Sequence, residues 1–380
     1  VRGVAQDLTS LLNREKWVFE DVHPQYSIVL TSLAKTPPGP DQTLPLRGPY
    51  ASEPRYRAGV AKEPLRFLVR EVLSWTDTAA LPLLPTEESG EVFLQLRKAP
   101  RLDLNDSASW RARPHRELDA TNDKRLMVFP KDPPEGYWPV FKGESFDIWE
   151  PDRGVYYAWA DPEKVMAALQ KKRLHSARLA RSAFSEFPPA WNKDPKTLPC
   201  LKPRIAFRDV ARATDTRTVR AALLPPKVFI VHIAPYFVWP RGDEKDQAYL
   251  LGVLCSIPFD WYARRFVETH MTYHIAEGLP VPRPKRDMPL WKRAVALGGR
   301  LACPDKRYRE WAAAVGVEYG KLEDDEKQDM IAELDGVVAH LYGLNEKQLT
   351  HIFETFHEGW VYAERLRETL KHFHRWKGRL

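Results

Sequence analysis

A mixed α/β (α+β) chain with an α-helical C-terminal part is predicted from three observations. Short apolar runs such as Val228-Phe229-Ile230-Val231-His232-Ile233 read as buried strands. Other windows place apolar residues at three- and four-residue spacing, the signature of amphipathic helices. The 33 prolines in 380 residues predict ordered loops and frequent breaks between elements.

Taken in order, Ser27-Ile28-Val29-Leu30-Thr31-Ser32-Leu33 is a β-like run ending at Lys35. Residues 36–63, rich in Pro, Gly and Arg, read as an extended connector or surface loop. Pro64 to Trp75 places Leu65, Leu68, Val69 and Val72 on one helical face, and Glu91 to Arg97 alternates well enough for a strand. Lys164 to Arg181 reads as a helix with six Lys/Arg and no acid. Such a helix repels itself unless an anion or acidic surface lies nearby, so phosphate contact competes with a solvated face.

Tyr249 to Val267 reads as a helical pair, and Pro289 to Arg300, Arg307 to Val315 and Glu323 to Leu341 as further helices. The last carries Ile331, Leu334, Val337, Val338 and Leu341 on one face behind an acidic front, which suits a helix N-terminus. Gly343 fits a C-cap and Asn345 the cap of the next helix, 345–357, followed by 359–376.

A formal net charge of +7 favours an acidic partner, nucleic acid first. Thirteen tryptophans add surfaces that pack or stack. Cys200, Cys255 and Cys303 are far apart and form no C-x-x-C pair, which argues against a disulfide framework or zinc knuckle and for a reducing, cytoplasmic setting. No apolar run is long enough to span a membrane and no signal peptide is visible. The chain opens on Val1 rather than Met, so a longer natural chain is expected.

The charge is concentrated. From Lys202 to Ile230 seven Lys/Arg stand against two acids, Asp209 and Asp215, with hydroxyls and apolar residues between them. Arginines supply forked donors and threonines short hydrogen bonds, so the block suits a surface facing a polyanion. On charge alone, a solvated basic surface of an ordinary domain fits equally well.

The ordered series of blocks RIAFRDVARATDTRT (204–218), ALLPP (222–226), AYLLGVLCSIPFDWYARRFVETHMTYHIAEGLPVPRP (248–284) and ELDGVVAHLYGL (333–344) resembles the C-terminal, target-recognition half of DNA adenine-N6 methyltransferases. These are the enzymes of single-chain restriction–modification systems (type IIG, type I single-polypeptide) and of related DISARM-like and BREX-like phage defence. The resemblance implies residues 1–100 as the trailing part of a methyltransferase-like domain plus connector. Residues 101–286 become a mixed-sheet DNA target-recognition domain, and 287–380 an α-helical C-terminal subdomain. Trp17-Val18-Phe19-Glu20-Asp21-Val22-His23 matches a segment near the end of the catalytic sheet. Arg113 to Asp123 matches one that precedes a strand-turn-strand through Pro139, Val140, Gly143 and Phe146. Gly143 is expected in a tight turn at positive φ. The implied partners are duplex DNA, an upstream methyltransferase domain in the same or a separate chain, and other subunits of a defence system.

The chemistry of methyl transfer is missing from this stretch. Enzymes of this class hold the flipped base with an Asn/Asp-Pro-Pro-aromatic loop. Asp132-Pro133-Pro134 comes nearest, but Glu135 stands where the ring belongs, and no glycine-rich cofactor turn follows a strand. No catalytic, cofactor-binding or metal-binding residue is therefore assigned, and S-adenosylmethionine is implied only for the parent enzyme. Glu117, Asp119, Asp123 and Asp147 read as turns and caps rather than a metal cluster. Asp243-Glu244-Lys245 and Asp325-Glu326-Lys327 carry the letters of a nuclease site in turn-like or helix-starting sequence. What remains is recognition, assigned to Arg204, Arg208, Arg212, Thr214, Thr216, Arg217 and Arg220, with Lys171, Lys172, Arg173 and Arg178 as further phosphate contacts. The rival role for each arginine is a structural salt bridge to Asp209, Asp215 or Asp260. Arg208 and Arg217 recur in the family's block, where holding the loop itself competes with touching DNA. Two readings from other classes stay open: a self-contained metal-dependent nuclease, and a non-enzymatic nucleic-acid or protein interaction module that prefers single strands.

Overall fold

The computed structural model describes residues 4–24, 26–37, 39–84, 86, 88–130, 132–212, 215–267 and 269–379. Its α/β content is mixed, with three sheets and helices throughout. Two compact units divide the chain, Val1–Arg97 and Lys98–Leu380.

The first unit is a four-stranded sheet in the order β2-β1-β3-β4. β1 (Val4–Leu12) pairs antiparallel with β2 (Ser27–Ala34) and parallel with β3 (Thr43–Tyr50). α1 (Glu53–Val60) leads to β4 (Leu65–Leu68), antiparallel to β3, and then come α2 (Val69–Trp75) and α3 (Ser89–Arg97). Three sequence expectations are corrected here. Residues 36–63 contain β3 and α1 rather than a loop. Gly48 makes this possible: at φ +82° it crosses so close to β1 that a Cβ would lie 2.3 Å from the Ser10 carbonyl oxygen. The segment expected as one helix from Pro64 begins as strand β4. The strand expected over 91–97 is helical, because burying Val92, Phe93 and Leu96 together while Leu94 faces out follows a 3.6 period. Phe93 closes an aromatic core with Trp75 and Phe67, ring centroids 4.9 Å and 5.1 Å apart along the chain of contacts.

The second unit is built on two sheets. β5 (Arg111–His115) is followed by β6 (Trp138–Phe141), β7 (Ala158–Ala160), α4 (Pro162–Ser176) and α5 (Pro189–Lys193). Then come β8 (Arg204–Phe207), β9 (Ala221–Leu224), β10 (Phe229–Ile230) and β11 (Tyr236–Arg241). The strands assemble as an antiparallel sheet β5-β11-β8-β9 and a smaller sheet β10-β6-β7 whose β10 and β6 run parallel. Gly143 lies in a 3-10 turn after β6 without the expected left-handed conformation, its Cα side packed on Arg208. Phe141, Phe146, Phe184, Leu224 and Tyr236 form one core cluster, and Val140, Val165, Leu169 and Phe229 another.

The helices follow as α6 (Glu244–Cys255), α7 (Ile257–Ala263), α8 (Tyr273–Gly278), α9 (Pro289–Ala302), α10 (Arg309–Val315), α11 (Asp324–Leu341), α12 (Glu346–Glu354) and α13 (Ala363–Trp376). Four of these helices, α6, α7, α8 and α12, start on a side-chain cap, and the Asn345 cap is expected from the sequence. Asp243 and Asn345 each close a capping box, and Gly343 takes φ +66° after α11. The tail is continuous with the sheet rather than appended to it. Tyr308 donates to the Leu223 carbonyl of β9 at 2.9 Å, and Tyr249 and Tyr342 donate to the carbonyls of Pro282 and Pro280. Cys200, Cys255 and Cys303 are free and buried, and burial raises each thiol pKa, to about 12 at Cys200 and Cys303. Among the described residues no helix is long and apolar enough to cross a membrane.

Helices α6 and α9 touch through Gly252 and Gly298, where a Cβ on Gly298 would stand 2.5 Å from the Ala248 carbonyl oxygen. Gly298→Ala therefore has to separate two backbones. Its expected cost is about 1–3 kcal/mol of stability, read as a lower denaturant midpoint.

Candidate nucleic-acid interface

Four chain segments meet at one end of the β5-β11-β8-β9 sheet. β8 runs into the basic loop 208–220, which returns as β9, while β5 ends into 116–123 and β11 starts from 231–235. Backbone hydrogen bonds lace them together. The Asp209 N–H donates to Ile233, the Met271 N–H to Asp209, and the Leu118 N–H to Ile230. The loop is thus anchored at both ends before any side chain is considered.

The side chains then divide by role. Arg217 reaches Asp260 of α7 and donates to the carbonyls of Cys255 (2.7 Å) and Ser256 (3.2 Å), where α6 ends. Asp260 is fully buried and also accepts from the backbone N–H groups of Thr218 and Val219. Burial opposes the Arg217 charge, yet Asp260 outweighs it and holds the guanidinium above its usual pKa. Arg208 donates to the Phe146 carbonyl and to Asp147, and Arg220 shares that Asp147 carboxylate at 2.6 Å while donating to Thr216 Oγ1. These three arginines brace the loop from within; Arg217 uses Asp260, one of the partners the sequence named, whereas Arg208 and Arg220 use Asp147, which it did not.

Arg204 is a correction. It is 3% exposed in β8, pairs with buried Glu117 at 2.7 Å, donates to the Val228 carbonyl and lies over the Tyr236 ring. A guanidinium so placed does not meet a phosphate at the surface. The same holds for Arg173, which turns into the protein from α4, donates to Thr197 and the Asp194 carbonyl, and stacks over Trp191. No carboxylate answers it in those contacts, and burial lowers its pKa.

The other assigned side chains that are described face outward. Arg212 and Thr216 are exposed on the loop, and the Arg212 backbone N–H is held by Asp215 at 3.1 Å. Thr214 lies outside the described residues. On α4 and just beyond it Lys171 and Arg178 are exposed, whereas exposed Lys172 is paired with Asp123. Sequence reasoning missed Arg116, half-exposed directly after β5, where it lies over Tyr273 and 3.9 Å from Asp209. Its signal was present in the Arg113–Asp123 segment, but only the strand pairing places it beside the loop. Exposed His270 reaches the same Asp209 at 3.6 Å.

Of the acids the sequence reads as turns and caps, Glu117, Asp123 and Asp147 instead pair with Arg204, with Lys172, and with Arg208 and Arg220, while others serve the backbone. Asp119 accepts from the N–H groups of Thr121 and Asn122, Asp243 caps α6, and Asp325 sits in the first turn of α11. Among the described residues no group of three or more His, Cys, Asp or Glu is placed to hold a metal ion. Asp132, Pro133, Pro134 and Glu135 are all exposed.

No family model matches the chain, and no curated protein matches it. Among solved structures it is similar to the Type IIL restriction–modification enzyme MmeI in complex with DNA, at 12% identity and a TM-score of 0.40. That likeness covers 93% of this chain and 46% of the other, so the chain spans about half the length of that enzyme.

Two measurements check the division of labour. Arg217→Ala leaves Asp260 buried without its cation and is expected to lose about 3–5 kcal/mol, whereas Arg212→Ala leaves the denaturant midpoint unchanged. His115, packed edge-on against Phe184, has its pKa pushed down from 6.5 to about 4 by burial and by the nearby Lys172 charge. The unfolded chain thus binds the extra proton between those values, so stability is full above pH 6.5 and falls as pH drops toward 4. His115→Phe is expected to flatten that part of the pH–stability curve by roughly 3 kcal/mol at most, read from denaturant midpoints across the range.

Proposed function

We propose that this chain reads the sequence of duplex DNA for an adenine-specific DNA methyltransferase of a restriction–modification or phage-defence system. The observation that carries the reading is the braced loop. Three arginines hold the described parts of the loop, 208–212 and 215–220, against the fold, and Arg212 and Thr216 are left exposed there. Base readout needs donors whose position is fixed before contact, and phosphate contact needs exposed cations around them. Lys171, Arg178 and Arg116 supply such cations. Duplex DNA is the partner that best fits this arrangement.

The adenine target rests on the resemblance of blocks 204–218, 248–284 and 333–344 to the recognition half of such enzymes. In this reading an upstream methyltransferase domain binds S-adenosylmethionine and supplies the Asn/Asp-Pro-Pro-aromatic loop, while this chain chooses the site, in the cytoplasm. A docking surface for that domain is offered by one face of β2, where Val29 and Leu33 are exposed, the last at 70%. In a defence system the other subunits act on the DNA that the pair has selected.

Selection from randomised duplexes at two salt concentrations tests the proposal. One short motif should be enriched, and Arg212→Ala should weaken binding to it about tenfold without changing stability. Lys171→Ala and Arg178→Ala should each weaken all sequences alike and reduce the slope of log K against log salt by about 0.9. Absence of duplex binding at low salt would sink the reading.

A further inference from the structure

Thr216 is exposed on the loop, and two arginines hold it, one by its side chain and one by its main chain. Arg220 Nη2 donates to Thr216 Oγ1 at 3.1 Å. That guanidinium is itself fixed at its other two nitrogens. Nη1 donates to Asp147 at 2.6 Å, and Nε to the Arg217 carbonyl at 3.3 Å. With a partner at each nitrogen, the planar fork sets where the Thr216 hydroxyl sits.

The second arginine is Arg264, buried directly after α7. Its Nη2 donates to the Asp215 carbonyl at 2.9 Å and to the Thr216 carbonyl at 3.3 Å. Its guanidinium carbon lies 4.4 Å from the ring centre of Phe356, a buried residue just beyond α12. Beside Phe356, Thr355 accepts from Trp261 Nε1 of α7 at 2.9 Å, so the two helices are tied where Arg264 rests. Burial opposes the Arg264 charge and lowers its pKa. An apolar side chain in this place would avoid that penalty but leave the two loop carbonyls unheld.

A threonine hydroxyl has one O–H to give and two lone pairs. Arg220 fills one lone pair, and among the described residues no acceptor takes the O–H. A cation held at this distance polarises the hydroxyl and strengthens it as a donor. The same cation repels a second N–H that approaches the oxygen. We infer that Thr216 is a donor toward DNA, positioned by Arg220 and Arg264, and that it selects an acceptor atom over an amino group. The inference rests on the function proposed above. Two sources supply such an acceptor: a base edge (purine N7, guanine O6 or thymine O4) and a phosphate oxygen. Only the first carries sequence.

The test titrates the whole chain with a duplex carrying the enriched motif, as wild type, Thr216→Val, Thr216→Ser and Arg264→Lys. Denaturant midpoints are measured on the same samples. In the duplex each purine N7, guanine O6 and thymine O4 is deleted in turn with a base analogue that lacks it. Amino groups of adenine and cytosine are deleted likewise, and single methylphosphonates replace phosphates. Thr216→Val should weaken binding about fivefold with the midpoint unchanged, and Thr216→Ser should restore it. One acceptor deletion should weaken the wild type by the same factor and Thr216→Val no further. A base analogue that behaves so assigns the base edge, and a methylphosphonate that does so assigns the phosphate. Arg264→Lys keeps the charge but has no plane to lay over Phe356. It should show a smaller loss on that same deletion, which a change in stability alone does not produce. A loss equal to that of the wild type overturns the positioning role of Arg264. The donor role of Thr216 is overturned if Thr216→Val binds as tightly as the wild type. It is equally overturned if no deletion masks the loss, or if an amino-group deletion does. In each of these cases wild-type binding to the duplex leaves the proposed function standing, whereas a wild type that binds no duplex overturns both.

Discussion

The buried pair of Arg217 and Asp260 is the constraint on which the candidate interface depends. Asp260 is taken wholly out of water, which is unfavourable for a lone carboxylate. Three donors offset that cost: the Arg217 guanidinium and the two loop N–H groups of Thr218 and Val219. Arg217 in turn covers the carbonyls at the α6–α7 junction, and Asp335 of α11 accepts from the Ile257 N–H at the same junction at 2.8 Å. Loop, helix pair and C-terminal helix therefore meet at one polar node, and none of them satisfies its backbone groups there without the others.

That node changes what the charge of the block means. The segment carries a large local excess of arginine, but Arg204, Arg208, Arg217 and Arg220 are each matched by a carboxylate within the fold. The field that a polyanion meets comes from fewer groups: Arg212 on the loop, Arg116 beside it, and Lys171 and Arg178 by α4. A small number of exposed cations favours discrimination over bulk attraction.

The helical part of the fold was legible because its signals are local. Asp243, Asn345 and Gly343 act on backbone groups within a turn of themselves, so their sequence context suffices. The N-terminal unit was not, because Glu91–Arg97 and residues 36–63 take their form from what they pack against. Alternation at 92, 94 and 96 is the same string of letters in a strand and in a helix that buries 92, 93 and 96. The site was half legible. Charge counting found the loop, but the orientation of Arg204 is decided by Glu117, 87 positions away, and that of Arg173 by Asp194 and Thr197 across the chain. The competing structural role of Arg208 and Arg217 was raised by their recurrence in the family's block; Asp260 was named as a partner and answers Arg217, but Asp147, which answers Arg208 from 61 positions away, was not.

The three cysteines have a practical consequence. All lie in the second unit, at the approach to β8 and the ends of α6 and α9, and burial keeps each thiol protonated far above neutral pH. Reaction with an alkylating reagent therefore waits for the surrounding structure to open. Their labelling times act as three built-in clocks for the sheet and its helices, while the first unit, which has no cysteine, stays silent in the same experiment.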